Sequence, residues 1–241
     1  PVIVLAPTTV EECYTLTIQA FDLAERFRVP VFLATDKETA QTKTSVSLDR
    51  EGRKQVRPRK TRGPEGPFLP LDIDQLDEVP PMSPFGGPHL LRFTTSSHDQ
   101  HGYLTKDPAA LDRLNRHLAA KILAHREEIS QVQSDLQRGA ETLIISYGIS
   151  ARSAQAAVRK ARGQGKRVSL LTIYSLWPVP ERSITAALED VRQVLIPELN
   201  LGQYTREIER LAHSHQEVIG VHRVDGKLIP PQDILAAGGL I

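Results

Sequence analysis

The sequence has a single cysteine, no excess of charge of either sign and no long hydrophobic run. Cys13 alone excludes an intramolecular disulfide, a cysteine-based zinc site and a self-contained iron–sulfur cluster. The 30 lysine and arginine residues nearly balance the 29 acidic residues, so no overall field attracts nucleic acid or an anionic membrane. No apolar run approaches the roughly 20 residues that a membrane span needs. We therefore expect a cytoplasmic protein that binds neither nucleic acid nor membrane.

The composition that remains is typical of a globular protein. The chain has 241 residues, of which 40% are hydrophobic and 24% are charged, enough for one large domain or two ordinary ones. It begins at Pro1, and Val2–Leu5 is typical of a strand end. We therefore expect the chain to be the C-terminal portion of a longer polypeptide.

Residues 1–36 predict one helix followed by one strand. Thr8 and Thr9 each precede a glutamate by three positions, which is the spacing of a capping box. Apolar residues then recur at intervals of three and four, as on one face of a helix. Pro30 ends this pattern, and the apolar run Val31–Ala34 predicts a buried strand.

Residues 37–97 lack such a pattern, and we expect an extended connector there. Eight of the seventeen prolines fall between Pro58 and Pro88, a composition that supports neither helices nor central strands. The connector also carries a basic cluster, made of Arg53, Lys54, Arg57, Arg59, Lys60 and Arg62. The cluster could bind phosphates. A solvated arm or subunit contact is favoured, because Glu51 and Glu65 flank the cluster and no aromatic residue interleaves.

Two features follow the connector. The run His98–Gly102 could suggest metal ligands, but no third ligand stands at a fixed spacing, and a hydrogen-bonded turn is favoured. Asp107 and Pro108 then predict the start of a helix with proline at its first position. Its apolar stripe predicts a helix to about Leu136.

The last hundred residues alternate between strands and helices. Their strands are nearly continuous apolar runs, which indicates a parallel sheet covered on both faces and an α/β fold. The predicted strands are Thr142–Ser146, Val168–Tyr174, Gln193–Ile196 and Glu217–His222. The predicted helices lie near Ala151–Gln164, Pro180–Glu189, Gln203–Ala212 and Pro231–Ala236.

The turn after the first of these strands is a candidate anion-binding or interface site. Gly148 permits a tight turn after Tyr147, and Ser150 can cap the next helix. The free amides of the helix N-terminus could hold an anion, with Arg152 adding a positive charge. Simple capping is favoured, because the glycine-rich phosphate fingerprint is absent.

Glu198, Asn200 and Gln203 occupy the equivalent position after the third strand. A carboxylate and two amides at a strand end are suited to fixing a loop or an interdomain or subunit contact. No nucleophile–base pair and no Walker loop is present in the sequence. We therefore assign no catalytic or metal-binding residue and predict that the chain has no self-contained active site.

These residues resemble a known family, the α subunits of 2-oxoacid:acceptor (ferredoxin) oxidoreductases, and most closely the 2-oxoglutarate type. The resemblance spans nearly the whole chain in order, which makes it more specific than any one motif. The matching stretches are Pro7–Tyr14, Ala20–Glu25, Pro30–Asp36, His98–Gly102, Ser146–Gly148, Pro197–Gln203 and Val224–Pro230.

The resemblance implies three parts for the chain. Residues 1–50 would be the C-terminal tail of a pyrimidine-binding thiamine domain. Residues 51–138 would be an extended connector with one helix. Residues 139–241 would be a parallel-sheet domain like the C-terminal domain of transketolase.

The resemblance also implies an activity that needs other subunits. Such enzymes decarboxylate a 2-oxoacid on thiamine diphosphate with Mg²⁺, pass electrons through an iron–sulfur cluster to ferredoxin, and form the acyl-CoA. The β subunit carries the diphosphate site, so an αβ hetero-oligomer is expected and this chain alone would bind no cofactor and be inactive. The alternative is a non-catalytic α/β assembly or anion-binding module of the transketolase-like group. Within the enzyme interpretation, 2-oxoglutarate, pyruvate and branched-chain oxoacids all remain open as substrates.

Overall fold

The computed structural model describes residues 1–46, 56–92 and 96–241, which form eight strands and eight helices. The strands are β1 (Ile3–Leu5), β2 (Val31–Leu33), β3 (Val132–Asp135), β4 (Thr142–Ser146), β5 (Val168–Ile173), β6 (Ser175–Trp177), β7 (Gln193–Glu198) and β8 (Glu217–His222). The helices are α1 (Val10–Phe27), α2 (Lys37–Gln41), α3 (Pro108–Leu123), α4 (Arg126–Ile129), α5 (Ser150–Gly163), α6 (Glu181–Leu188), α7 (Gln203–Leu211) and α8 (Pro231–Ala237).

Helix α1 begins with the capping box that the sequence predicts. The hydroxyl of Thr9 accepts a hydrogen bond from the amide of Glu12 at 3.2 Å, and the Glu12 carboxylate accepts one from the amide of Thr9 at 3.1 Å. Both backbone donors would otherwise lack partners in the first turn. On its inner face α1 buries Leu16, Leu23 and Phe27 in a core that β1 shares. The helix prediction is confirmed.

The predicted buried strand after α1 is a strand, but the prediction of burial is wrong. Strand β2 lies at the edge of a three-stranded sheet of order β2-β1-β6 and pairs in parallel with β1. Phe32, in its centre, is 56% exposed. An apolar run shows that a segment can be buried, but the position of a strand in its sheet decides whether both faces are covered.

The described part of the connector is largely irregular and is held onto α1 by charged side chains. The guanidinium of Arg28 donates to the carbonyls of Pro70, Pro80 and Pro81 at 2.9–3.1 Å. Arg57 binds the carboxylate of Asp22 with two nitrogens and its own backbone amide. Arg59 binds Glu25, and Lys60 lies 3.5 Å from Glu78. Arg53 and Lys54 of the basic cluster lie outside the described residues.

The predicted helix from Pro108 to about Leu136 is too long. Helix α3 ends at Leu123, α4 is a short turn of helix, and β3 follows it. Strand β3 pairs antiparallel with β5, and the amide of Gln131 before it donates to the hydroxyl of Ser175 at 2.8 Å. The free edge of β5 supplies partners for this backbone, a distant contact that local periodicity does not reveal.

The predicted parallel sheet is confirmed and is larger than predicted. Its order is β3-β5-β4-β7-β8, in which β5, β4, β7 and β8 are parallel. One face packs its side chains with α6 and α7, and the other packs them with α5 and α8. The central strands β4, β5 and β7 are therefore buried on both sides, as continuous apolar runs require.

Strand β6 links the two sheets, and it was not predicted. It follows β5 directly, yet it pairs antiparallel with β1 of the small sheet, and the amide of Ala6 donates to the carbonyl of Tyr174 at 2.7 Å. The N-terminal sheet is thus completed by a strand from the C-terminal region. Among the described residues, no helix is long and apolar enough to cross a membrane.

Candidate functional site

Polar side chains gather where β4, β7 and β8 end. Because these strands are parallel, their carboxyl ends lie on one edge of the large sheet, where ligand sites of open α/β folds usually form. We call the group that meets there the carboxyl-edge network. It consists of Tyr147, Glu198, Asn200, Thr205 and His222.

Glu198 is the centre of this network and is only 1% exposed. Its Oε1 accepts hydrogen bonds from the amide and the hydroxyl of Thr205, at 2.9 and 2.5 Å. Its Oε2 accepts from the amide of Tyr204 and the hydroxyl of Tyr147, both at 3.0 Å. Two of these donors are amides in the first turn of α7, where a negative charge is stabilised by the helix. The carboxylate therefore fixes the start of α7 to the end of β7.

The pKa of Glu198 lies below its ordinary value. Burial acts to raise this pKa, but the hydrogen bonds from Thr205, Tyr204 and Asn200 favour the ionised form and outweigh it. The carboxylate is therefore ionised at neutral pH and has its acceptor positions filled. Such a group is a poor general base, since a general base needs a pKa near the working pH and access to a substrate proton.

Tyr147 and Asn200 extend the network over the next loop. Burial and the neighbouring Glu198 carboxylate raise the pKa of Tyr147, so its hydroxyl stays neutral. The side-chain amide of Asn200 donates to that hydroxyl at 2.7 Å. The oxygen of the same side chain accepts from the amides of Gly202 and Gln203 at 2.9 and 3.0 Å. Asn200 thus shapes the loop, whereas Gln203 is exposed and takes part through its backbone.

His222 closes the network from β8. The Thr205 hydroxyl donates to Glu198, so it accepts from Nε2 of His222, which lies 2.9 Å away. The imidazole packs against backbone that carries no side chain: a Cβ on Gly202 or Gly220 would lie 2.6 or 2.1 Å from a ring atom. Gly202 also has a φ of +85°, which glycine adopts readily. A side chain at either glycine would therefore displace the imidazole from this position.

The turn after β4 differs from its prediction. Gly148 does make a tight turn, with a φ of +55°. The predicted cap by Ser150 is wrong, because helix α5 begins at this buried residue and no side-chain cap comes from its own turn. Instead Oδ2 of Asp36, from the N-terminal region, accepts a hydrogen bond from the amide of Ile149 at 2.6 Å. Burial raises the pKa of Asp36, while this hydrogen bond acts in the opposite direction.

Asp36 has a consequence for the predicted anion site. A carboxylate of the chain itself already lies at the start of α5, where an external anion was considered. Arg152 is exposed and makes no described contact with the carboxyl-edge network. A role for Ser150 and Arg152 in anion binding or at an interface remains a prediction, as does an interface role for Tyr147, Glu198, Asn200 and Gln203.

The structure therefore joins three predicted residues and adds others. Tyr147, Glu198 and Asn200 meet directly. Sequence reasoning missed Thr205, His222 and Asp36. His222 ends an apolar run on the sheet edge that already holds Glu198, and this position was a usable signal; Asp36 meets α5 only through the tertiary fold.

The run His98–Gly102 forms the predicted hydrogen-bonded turn. Oδ1 of Asp99 accepts from the amides of His101 and Tyr103 at 2.9 and 3.0 Å, and the amide of Gly102 donates to the Asp99 carbonyl at 3.0 Å. Within the described residues, no group of three or more histidine, cysteine or acidic side chains is placed to hold a metal ion.

Two described families match most of the chain. Residues 1–112 match the family described as pyruvate flavodoxin/ferredoxin oxidoreductase, thiamine diphosphate-binding. Residues 140–234 match the family described as pyruvate:ferredoxin oxidoreductase core domain II. The first match covers the N-terminal region, and the second covers most of the large sheet.

Curated relatives cover nearly the whole chain. The 2-oxoglutarate synthase subunit KorA of Methanothermobacter thermautotrophicus is 38% identical over 239 residues, which is 97% of this chain and 62% of the relative. The subunit of the same name from Methanocaldococcus jannaschii is 31% identical, with the same coverage of both chains. The ketoisovalerate oxidoreductase subunit VorB of M. thermautotrophicus is 28% identical over 96% of this chain and 58% of its own length. The chain thus spans about three fifths of these relatives.

A solved structure has the same fold. The 2-oxoglutarate:ferredoxin oxidoreductase from Magnetococcus marinus, with 2-oxoglutarate, coenzyme A and succinyl-CoA bound, superposes with a TM-score of 0.87. The match covers 99% of this chain and 42% of that chain, at 23% identity. It establishes a common fold across both sheets.

Proposed function

We propose that the chain belongs to the 2-oxoacid:ferredoxin oxidoreductase family and is part of the α subunit of a thiamine-dependent enzyme that oxidatively decarboxylates 2-oxoglutarate to its acyl-CoA. One observation carries the proposal: the sequence identity to the 2-oxoglutarate synthase subunit KorA of M. thermautotrophicus is 38% and extends over 97% of the chain. The 28% identity to the ketoisovalerate subunit VorB is lower, which favours 2-oxoglutarate over a branched-chain oxoacid.

The cofactors of the proposed enzyme are thiamine diphosphate, Mg²⁺ and an iron–sulfur cluster. The described residues do not suit the diphosphate and its metal ion: they contain no group of three potential metal ligands, and Asp36 fills the N-terminus of α5. The single Cys13 cannot by itself hold a cluster. We therefore derive no chemical step on this chain and propose that a β subunit carries the diphosphate site.

We propose that the chain has a structural role in the α subunit of an αβ hetero-oligomer that uses CoA and ferredoxin. The carboxyl-edge network supports a structural role, because its buried carboxylate is ionised and its hydrogen bonds end on loop and helix backbone. We propose that Glu198, Asn200 and Gln203 fix this edge for an interdomain or subunit contact. The proposed setting is the cytoplasm, without nucleic acid or membrane as a partner.

We also propose that the chain is organised as a thiamine-domain tail (1–50), a connector (51–138) and a transketolase-like α/β domain (139–241). The two family matches, to residues 1–112 and 140–234, support a boundary near residue 139. Strand β3 is an exception, since it precedes this boundary and yet pairs with β5.

The test is anaerobic co-expression of the intact protein with its β subunit, followed by CoA-dependent reduction of ferredoxin. We expect the highest kcat/KM with 2-oxoglutarate, compared with pyruvate and 2-oxoisovalerate. Omission of CoA or of thiamine diphosphate is the control. A preference for another oxoacid would contradict the proposal that 2-oxoglutarate is the substrate. If a cofactor-loaded complex turned over none of the three oxoacids, the proposed enzymatic activity would be contradicted. The alternative, a non-catalytic assembly module, would then be favoured.

A further inference from the structure

A cleft of about 260 Å³ lies between the connector, the turn His98–Gly102 and helix α3. Its apolar wall includes Leu71 and Ile73 of the connector and Leu114 of α3. Its polar wall is dominated by nitrogen-bearing side chains from the turn and from α3. None of the residues of the carboxyl-edge network lines this cleft.

Arg113 is the fixed positive charge of this cleft. One of its terminal nitrogens donates to the carbonyl of Ile73 at 2.5 Å, which orients the guanidinium across the cleft wall. None of the described carboxylates forms an ion pair with it. Arg116, one turn further along the same helix, does have such a partner, since it binds Asp112 at 2.8 Å. Arg113 therefore keeps donors for a ligand, and guanidinium groups bind carboxylates through paired hydrogen bonds.

The remaining polar wall supplies imidazoles and little negative charge. His98, His101 and His117 all contribute to the lining. Asp99 is its one carboxylate, and Oδ1 of that group already accepts two backbone amides of the turn. His117 is buried and donates through Nδ1 to the carbonyl of Leu76 at 2.8 Å, while its buried Nε2 has no hydrogen-bond partner among the described residues. Nε2 is therefore an acceptor, which a water molecule can satisfy and a carboxylate cannot.

We propose that this cleft binds a small organic carboxylate with a short apolar chain. The carboxylate would lie against Arg113, and the carbon chain against Leu71, Ile73 and Leu114. The volume suits a ligand smaller than the drug-sized molecules that fill pockets of 300–1,000 Å³. A phosphate is less suitable, because the amides of His101 and Tyr103 point at Asp99 and cannot form an anion-binding nest.

This proposal goes beyond the proposed function and does not depend on it, since binding can be measured without turnover. The experiment is calorimetric titration of the intact protein with valerate, acetate and inorganic phosphate. We expect valerate to bind in roughly the millimolar range, as befits so small a ligand. Acetate and phosphate should each bind more weakly than valerate.

Matched variants locate the binding. Arg113→Gln should weaken valerate binding about tenfold, the effect of losing one charge-assisted interaction. Arg116→Gln, on the same helix but already paired with Asp112, should change it by less than about twofold. Leu114→Asn should weaken valerate more than acetate. Arg113→Lys, which keeps the charge but not the paired donors, should bind valerate more tightly than Arg113→Gln and serves as the charge test.

The outcomes divide clearly. Weaker valerate binding in Arg113→Gln, with retention in Arg116→Gln and a smaller loss in Arg113→Lys, supports the site. Absence of measurable valerate binding by the unmodified protein overturns it. Equal binding by all variants overturns the location, and tighter binding of phosphate than of valerate overturns the assigned ligand class.

Discussion

Glu198 in the large sheet and Glu25 on α1 are both held by hydrogen bonds from other parts of the chain, but in different surroundings. Glu198 is almost completely buried, and four donors from α7 and from Tyr147, which follows β4, surround it. The side chain of Glu25 is 28% exposed, and Arg59 of the connector is its ion-pair partner. We call the contacts of Arg28, Arg57 and Arg59 between α1 and the connector the connector seam.

The difference lies in what happens when one partner is lost. Removal of a buried acceptor leaves amides and hydroxyls without partners in a region that water does not reach, and that cost is large. At an exposed seam, water replaces the lost partner, and the cost is small. We therefore expect the carboxyl-edge network to control global stability and the seam to control only the attachment of the connector.

Glu198→Ala should have the largest effect. It leaves the amides of Tyr204 and Thr205 without their carboxylate, so we expect a loss of about 3–5 kcal/mol in the free energy of unfolding of the intact protein. Urea denaturation measures it. The control is Glu217→Ala on β8, an exposed position whose replacement should change the free energy by less than about 0.5 kcal/mol.

The same residue gives a pH dependence with a definite sign. Because the pKa of Glu198 is lower in the folded than in the unfolded state, its contribution is complete above the unfolded-state pKa. It is lost as the pH falls through the folded-state pKa. The variant should thus lose its deficit relative to the unmodified protein in acid. A deficit below about 1 kcal/mol at neutral pH would contradict a central structural role for Glu198.

Lys121→Met should increase stability by about 2 kcal/mol at neutral pH. Lys121 is only 3% exposed, and no described carboxylate pairs with it. Burial and the nearby charge of Arg28 lower its pKa from 10.5 to about 8. Between these values the unfolded chain binds a proton that the folded chain does not, so stability rises with pH from about 8 to 10.5.

The replacement should remove that rise, as measured by urea denaturation at several pH values. Arg116→Met on the same helix, at an exposed position, is the matched control and should leave the pH profile unchanged. An unchanged profile in Lys121→Met as well would mean that Lys121 is solvated and is not a buried charge.

Gly148→Ala should reduce stability by about 2 kcal/mol. Its φ of +55° disfavours a side chain, and a Cβ would lie 2.5 Å from Oδ2 of Asp36. Combination with Asp36→Ala relieves the contact but not the backbone strain, so the double variant should lose less than the sum of the single losses. Thermal unfolding of the three variants measures this coupling.

Gly163→Ala provides the control for this cycle. Gly163 is the last residue of α5, and a Cβ added there meets no atom within 4 Å. The replacement should be neutral or stabilising by less than about 1 kcal/mol. Strict additivity between Gly148→Ala and Asp36→Ala would show that Asp36 does not hold the start of α5.

Arg57→Ala should have the smallest effect, a loss below about 1 kcal/mol that shrinks further in high salt. The side chain of Arg57 is 56% exposed, although its guanidinium binds Asp22 with good geometry. Limited proteolysis of the connector should respond more than the global free energy of unfolding. A global loss comparable with that of Glu198→Ala would remove the distinction between the seam and the carboxyl-edge network.

Much of the C-terminal region could be predicted from the sequence, because each of its elements has a local signal. Strand β4 and strand β8 have the predicted bounds, and α5 to α8 lie within a few residues of theirs. Buried parallel strands are continuous apolar runs, and the helices between them have distinct start signals. The approach of Tyr147, Glu198 and Asn200 follows from the same alternation, since parallel strands end at a common edge.

The sequence alone therefore determined the α/β class, the capping box of α1 and the alternation of strands and helices in the C-terminal region. Only the tertiary structure decided that β3 joins the sheet at the edge of β5, that β6 completes the small sheet, and that Asp36 rather than Ser150 caps α5. Each of these is a backbone donor or acceptor that finds its partner far along the chain. Local periodicity and capping rules describe neighbours in sequence, whereas such groups are satisfied by whichever partner the folded core brings within hydrogen-bond distance.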